Sequence, residues 1–405
     1  MLQPLGQSQV IPYLKGIARS GYQFTLLSFE RDEAYTDSGR ALCAGMKQEL
    51  AAANIDWHWL RYHKRPSLPA TGYDVWAGIS FCKRLARQKP FAMVHARSHI
   101  PATIAVQLKK HTGAKMIFDI RGLMADEYID AGHWRQGSTA YRITKRFERE
   151  AMRHADGVVT LTEKIWPIIS EWDALRGRAV AHEVIPCCAD LQRFKFDSHF
   201  RQEIRRSLGV ESRFVVVYSG SIDGWYMTEE MADFFGVLRR RQPNAFFLWL
   251  TQSNRQRLEE LMRARGIDAG DYGIVASAPR DVPGYLTAAD AGLAFIKPCF
   301  SKLASSPTKY AEYLGCGLPL IINAGVGDSD GLITEHRAGV LINEFTEAEY
   351  ERAIEQLPAL AGAPAETRAG MRLVAEQLFD LARVGVPDYV RLYERVLASP
   401  SAVAQ

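Results

Sequence analysis

The chain has 405 residues, 47% of them apolar and 24% charged, with a formal net charge of +4. That length exceeds one ordinary core and predicts two domains. No apolar run is long enough to cross a bilayer, no signal-peptide pattern is visible, and the six cysteines show neither CxxC pairing nor a histidine at zinc spacing, which fits a reduced, cytosolic compartment. Charge is uneven: residues 1–190 carry a surplus of seven positive charges and the remainder a surplus of three negative ones. A basic first half suits either ordinary solvation or a partner with phosphates or an anionic surface.

In chain order, "PLGQSQV" predicts a loop running into a helix over 8–19. Strands are predicted at 23–29, 92–96, 115–120 and 157–162, separated by helical patterns near 74–88, 101–111 and 138–154. Strands at 214–220, 245–251, 273–277, 291–296 and 318–323 follow, again with helices between them. Short apolar runs bounded by Gly or Pro, alternating with longer amphipathic runs, predict βαβ units and parallel sheets. The alternation breaks at "VIPCCADLQRFKFDSHF" (184–200). The domains are therefore placed at 1–185 and 186–379, with a terminal helix over 380–398 returning to the first. Two doubly wound, Rossmann-like α/β domains would bind ligands outside the carboxyl ends of their strands, facing a central cleft.

Three stretches can carry chemistry. In "KLASSPTKYAEYLGCGLPLI" Ser306 suits an N-cap and Pro307 a first helical residue. Thr308, Lys309 and Glu312 then follow on the first turns, where free N–H groups and the dipole favour phosphate. Glu312 suits sugar hydroxyls instead, which donate to a carboxylate. In "FDIRGLMADEYIDAG" Asp119 and Arg121 fall at a strand's carboxyl end. Arg121 can grip phosphate, and Asp119 can take a proton or a hydroxyl bond. In "MVHARSHIPA" His95, Arg97 and His99 fall at another strand end. The helix 141–155 carries Arg142, Lys145, Arg146, Arg149 and Arg153 along one face, either merely solvated or open to anionic lipid. No dinucleotide fingerprint, P-loop, HEXXH or Cys/His cluster appears, so neither a dehydrogenase nor a metal site is indicated.

In order along the chain, "PLGQSQVIPYLKGIARSGYQFTLLSFE", "HARSHIPA", "FDIRGLMADE", "KRFEREAMRHADGVVTLTEKI", "VIPCCADLQRF" and "SSPTKYAEYLGCGLPLI" resemble the GT-B glycosyltransferases of family 4, retaining enzymes that use nucleotide sugars. The resemblance implies a C-terminal domain that binds a UDP- or GDP-linked sugar, with no further cofactor and no metal. It implies an N-terminal domain that binds a saccharide or lipid-linked acceptor, in cell-surface polysaccharide or glycolipid assembly. "VPDYVRLYERVL" resembles the family's terminal helix. Glu312 matches the second Glu of the family's paired-Glu motif, and the first is replaced by Ala304, leaving Lys302 or Ser305 to contact the sugar. Ser221 stands where relatives carry basic residues, so Lys297, Lys309 and Arg121 become the cations for the diphosphate. Asp119 replaces a common His. Gly6 and Gln7 would sit in a loop that approaches the donor. That loop normally follows a first, central strand; none precedes it here, so the expectation is that Met1 lies inside the natural protein. The implied mechanism is a front-face displacement in which the helix N-terminus stabilises the leaving diphosphate. A sugar-nucleotide epimerase and a non-catalytic binding protein of the same fold are the alternatives. The location implied is cytosolic, with peripheral contact to the inner membrane face open.

Overall fold

The computed structural model describes residues 1–361 and 364–399. It divides into two compact units, Met1–Pro186 with the segment from Leu381 onward, and Cys187–Asp380.

The first unit contains β1 (Phe24–Glu30), β2 (Ile55–Arg61), β3 (Met93–Arg97), β4 (Lys115–Asp119), β5 (Gly157–Thr160) and β6 (Ala181–Val184). All pairings are parallel. They form two pieces, β1–β2 and β3-β4-β5-β6. The doubly wound order would set a strand between β1 and β3, and no described residue forms one. Both edges instead meet one ring of the helix Val386–Ala398: Tyr393 lies 6.4 Å from Phe24 and 5.8 Å from His95, centroid to centroid. That helix buries Tyr389, Leu392, Tyr393 and Val396.

The opening differs from expectation. Residues Pro4–Gln9 are a short helix, not a loop, because Pro4 supplies the fixed φ of a first helical residue. A Cβ on Gly6 would meet the Met1 backbone at 2.8 Å. Gln7 donates to the Met1 carbonyl at 3.0 Å. β2, "IDWHWLR", is a strand the sequence reading does not anticipate. Its alternation buries Ile55 and Trp57 while Asp56 faces out, and Trp57 donates to Ser28 at 2.9 Å.

The second unit contains β7 (Phe214–Ser219), β8 (Ala245–Leu250), β9 (Tyr272–Val275), β10 (Ala291–Ala294), β11 (Leu320–Asn323) and β12 (Gly339–Ile342). They form one parallel sheet in the order β12-β11-β10-β7-β8-β9. Counted within the unit this is the doubly wound order 3-2-1-4-5-6, with its switch point between β7 and β10. The near-continuous apolar runs of β7, β8, β10 and β11 follow, since such strands are covered on both faces.

The helix Thr308–Gly315 lies on this switch point through one ring. A Cβ on Gly292 in β10 would stand 2.2 Å from Tyr313. The Tyr313 hydroxyl accepts from the Ser219 N–H at 2.8 Å, at the end of β7. Gly292→Ala is therefore expected to push the ring and its helix outward and to cost about 1–3 kcal/mol, measurable as a lower denaturant midpoint with unchanged slope.

Candidate functional site

At the switch point two segments meet above the carboxyl ends of β7 and β10. The segment after β7 passes Gly220 (φ +144°), Asp223 (φ +60°) and Gly224 (φ +65°). Tyr226 then bridges Ile296, beyond β10, and Lys297 donates its N–H to the Trp225 carbonyl at 2.9 Å. Asn323, at the end of β11, clamps the same place. Its side chain accepts from Ile296 N–H at 2.8 Å and donates to the Ile296 and Ala324 carbonyls, both at 2.9 Å.

Lys309 enters this site from the first turn of the helix Thr308–Gly315. It is 7% exposed, and its Nζ has no hydrogen-bond partner among the described residues. The ammonium lies 3.8 Å from the ring centroid of Tyr226 and 4.2 Å from that of Tyr218, a cation–π cage. A Cβ on Gly220 would come within 3.0 Å of Nζ, and the residue's φ of +144° is one that side-chain-bearing residues rarely adopt. Burial pulls the amine down to about 7, against the opposing pull of Glu312. Glu312, one turn on and partly buried, is pushed up to about 7 by burial, opposed by Lys309 and Arg193. Two groups of opposite charge thus stand near neutrality at one helix end, and the cation lacks an anion at bonding distance. Such an end has open N–H groups and a positive dipole, which suits a phosphate ester.

The other residues predicted for this site fall around it. Thr308 is the first helical residue. The N-cap position is Pro307, extended at φ −69° and ψ 117°, rather than Ser306. The Ser306 hydroxyl instead accepts the Cys187 N–H at 3.0 Å, a long-range partner that spacing could not disclose. Ser305 closes the preceding 3-10 turn by donating its N–H to the Lys302 carbonyl at 3.1 Å. The Ser221 carbonyl accepts from the Tyr218 hydroxyl, and the residue is exposed, as is Lys297. Lys302 is buried, with its Nζ 3.8 Å over the Trp225 ring. Tyr218, Tyr226 and Gly220 were not anticipated. They lie far from Lys309 in sequence, and only strand order brings them to it.

Gly6, Gln7, Asp119 and Arg121 belong to the first unit. Asp119, at the end of β4, is 1% exposed. Tyr389 donates to it at 2.8 Å, His95 Nε2 lies at 3.5 Å and an Arg121 nitrogen at 3.7 Å. Burial opposes ionisation here, but Arg121, the His95 hydrogen bond and Arg97 hold the carboxyl down at about 2. A buried, paired carboxylate of this kind holds the ends of β3 and β4 against the terminal helix. Asp119→Ala is expected to cost about 3–5 kcal/mol by stranding its cations. Because the folded carboxyl lies below its ordinary range, its stabilisation is present above about pH 4 and is lost as pH falls towards 2. Urea unfolding at pH 7 and pH 3 should show the wild-type advantage over the variant shrink. Arg121 itself adopts φ +56° and neighbouring Ser98 φ +74°, uncommon for side-chain-bearing residues and concentrated at functional ends of sheets.

No helix among the described residues is long and apolar enough to cross a membrane.

Residues 12–188 match the family model described as a glycosyl transferase 4-like domain. No curated protein sequence matches the chain at a significant level. Among solved structures the chain is similar to HepE from Anabaena in complex with UDP-glucose, with a TM-score of 0.65 at 14% identity, covering 92% of this chain and 100% of that one. It is similar to a sucrose-phosphate synthase from Thermosynechococcus elongatus, with a TM-score of 0.69 at 16% identity, covering 93% and 100%. A glycosyltransferase from Rickettsia africae also scores 0.69, at 11% identity and the same coverage. At such identities the likeness speaks for the fold. The chain accordingly has the GT-B fold of glycosyltransferases, and its residues 12–188 match a glycosyl transferase 4-like domain.

Proposed function

We propose that the protein is a glycosyltransferase that moves a sugar from a UDP- or GDP-linked donor to a saccharide or lipid-linked acceptor, with retention, in cell-surface polysaccharide or glycolipid assembly. The observation that carries this reading is Lys309, a buried amine without a hydrogen-bond partner among the described residues, at a helix N-terminus on the switch point of a doubly wound sheet. A diphosphate there would gain the N–H groups of the helix and a cation in a water-poor setting. The glycosyltransferase-like match over residues 12–188 and the UDP-glucose complex of HepE support the same ligand class.

In this reading the helix Thr308–Gly315 receives the diphosphate, and Lys309 neutralises the charge that grows on it as the anomeric C–O bond lengthens. Glu312 accepts hydrogen bonds from ribose hydroxyls. The acceptor hydroxyl attacks from the face the leaving group vacates, and its proton passes to the departing phosphate oxygen. Tyr218 and Tyr226 hold the ammonium in place before the donor arrives, so little reorganisation is needed at the moment of bond breaking.

The test is a product assay with the full chain and a panel of nucleotide sugars. Free nucleoside diphosphate released only when a saccharide acceptor is present supports transfer. Release of free nucleotide without an acceptor, together with an epimerised sugar, would overturn it.

A further inference from the structure

The first unit carries an exposed aromatic cluster on the helix Ser67–Gln88 and the segment before it. Tyr73 is 54% exposed and Trp76 62%, both on the helix Ser67–Gln88. Their ring centroids lie 5.8 Å apart, and that of His63 lies 5.2 Å from Tyr73. Tyr62, beside His63, is 41% exposed. Large rings exposed together in this way mark interaction sites rather than ordinary surface.

The cluster is held in place. Asp74, 4% exposed, accepts the His63 backbone N–H at 2.9 Å and binds its ring Nδ1 at 2.6 Å. Tyr62 donates its N–H to the Glu30 carbonyl at 2.8 Å, so the cluster sits just past the carboxyl ends of β1 and β2. Ligands of doubly wound sheets bind at that end.

We propose that Tyr73 and Trp76, with His63, form a platform for a pyranose unit of a saccharide acceptor. A sugar ring offers a C–H face to an aromatic ring and hydroxyls around its rim. Indole, phenol and imidazole offer the complement: a flat apolar face with a polar handle. Fixed ring spacing suits a rigid ring-shaped ligand better than fluid acyl chains, which are met by apolar helix faces. The platform rests on the proposed saccharide transfer and names where a sugar of the acceptor beyond the reacting one would sit.

The experiment uses the full chain on a printed array of pyranose oligosaccharides, with Tyr73→Ala/Trp76→Ala and Trp76→Phe beside wild type. Both rings are exposed, so melting temperatures should be unchanged. The expected result is that wild type retains one or more oligosaccharides, that the double variant loses about tenfold in affinity, and that Trp76→Phe recovers part of it. Equal retention by wild type and double variant, or no retention by wild type, would overturn the platform. So would binding of phosphatidylglycerol vesicles that depends on these rings while oligosaccharide binding does not. Thermal shift with nucleotide sugars separates the two readings. A donor that stabilises both proteins equally leaves the transfer reading standing when the platform fails, whereas ring-dependent oligosaccharide binding without any donor effect removes the transfer reading alone.

Discussion

Lys309→Met is expected to stabilise the ligand-free protein and to slow its turnover severely. The wild-type ammonium is buried between two phenol rings with no hydrogen-bond acceptor among the described residues, an arrangement that costs folding free energy. Methionine keeps the length and the contact with the rings. The gain should be about 1–3 kcal/mol. The same change removes the cation that meets the donor's diphosphate, and kcat/KM should fall by about 10²–10³. The pH dependence gives the sign. The amine's folded value, about 7, lies below its ordinary 10.5. Its contribution is intact above pH 10.5 and is lost as pH falls towards 7. The advantage of Lys309→Met in melting temperature should therefore grow from pH 9 to pH 6.5.

Glu312→Gln should show the opposite slope. Burial raises the carboxyl from its ordinary 4.5 to about 7, so its contribution is intact below pH 4.5 and is lost as pH rises through 7. The variant's advantage in melting temperature should grow from pH 5 to pH 8. For donor binding the amide still accepts one hydrogen bond but not two charge-assisted ones, and affinity should fall about tenfold. The pair also predicts proton exchange on binding. A diphosphate beside Lys309 favours the ammonium, so at pH 8 wild type should take up protons when it binds a nucleotide sugar. Calorimetry in two buffers of different ionisation enthalpy would read this, and Lys309→Met should not show it.

Much of this site was legible along the chain. The helix 308–315, its Lys309 and Glu312, and the strands β7, β10 and β11 on which it rests all follow from apolar runs punctuated by Gly and Pro. Four features of the chain were not. The caging of Lys309 by Tyr218 and Tyr226 depends on β7 and β10 being neighbours, which is a property of sheet order rather than of spacing. Ser306 reads as an N-cap because its chemistry suits one, but a distant backbone N–H takes its hydroxyl and Pro307 fills the position. Asp119 reads as a group at a strand end that can take a proton or a hydroxyl bond. The tyrosine that buries it comes from the terminal helix, and nothing near residue 119 announces it. The opening "PLGQSQ" reads as a loop by its Pro and Gly, yet the proline starts a helical turn that packs on Met1. Local patterns thus located the elements. Which side chains stand free to act was decided by partners far away in sequence.

In the proposed mechanism everything turns on Lys309 receiving the diphosphate of a nucleotide sugar. Thermal unfolding of wild type and Lys309→Met at pH 7.5, each with saturating UDP-glucose, GDP-mannose and related UDP- and GDP-sugars, tests it most directly, since a ligand stabilises only the state it binds. At least one nucleotide sugar should raise the melting temperature of wild type by several degrees and leave Lys309→Met unmoved. An equal rise in both proteins, or no rise in wild type with any of them, would contradict it.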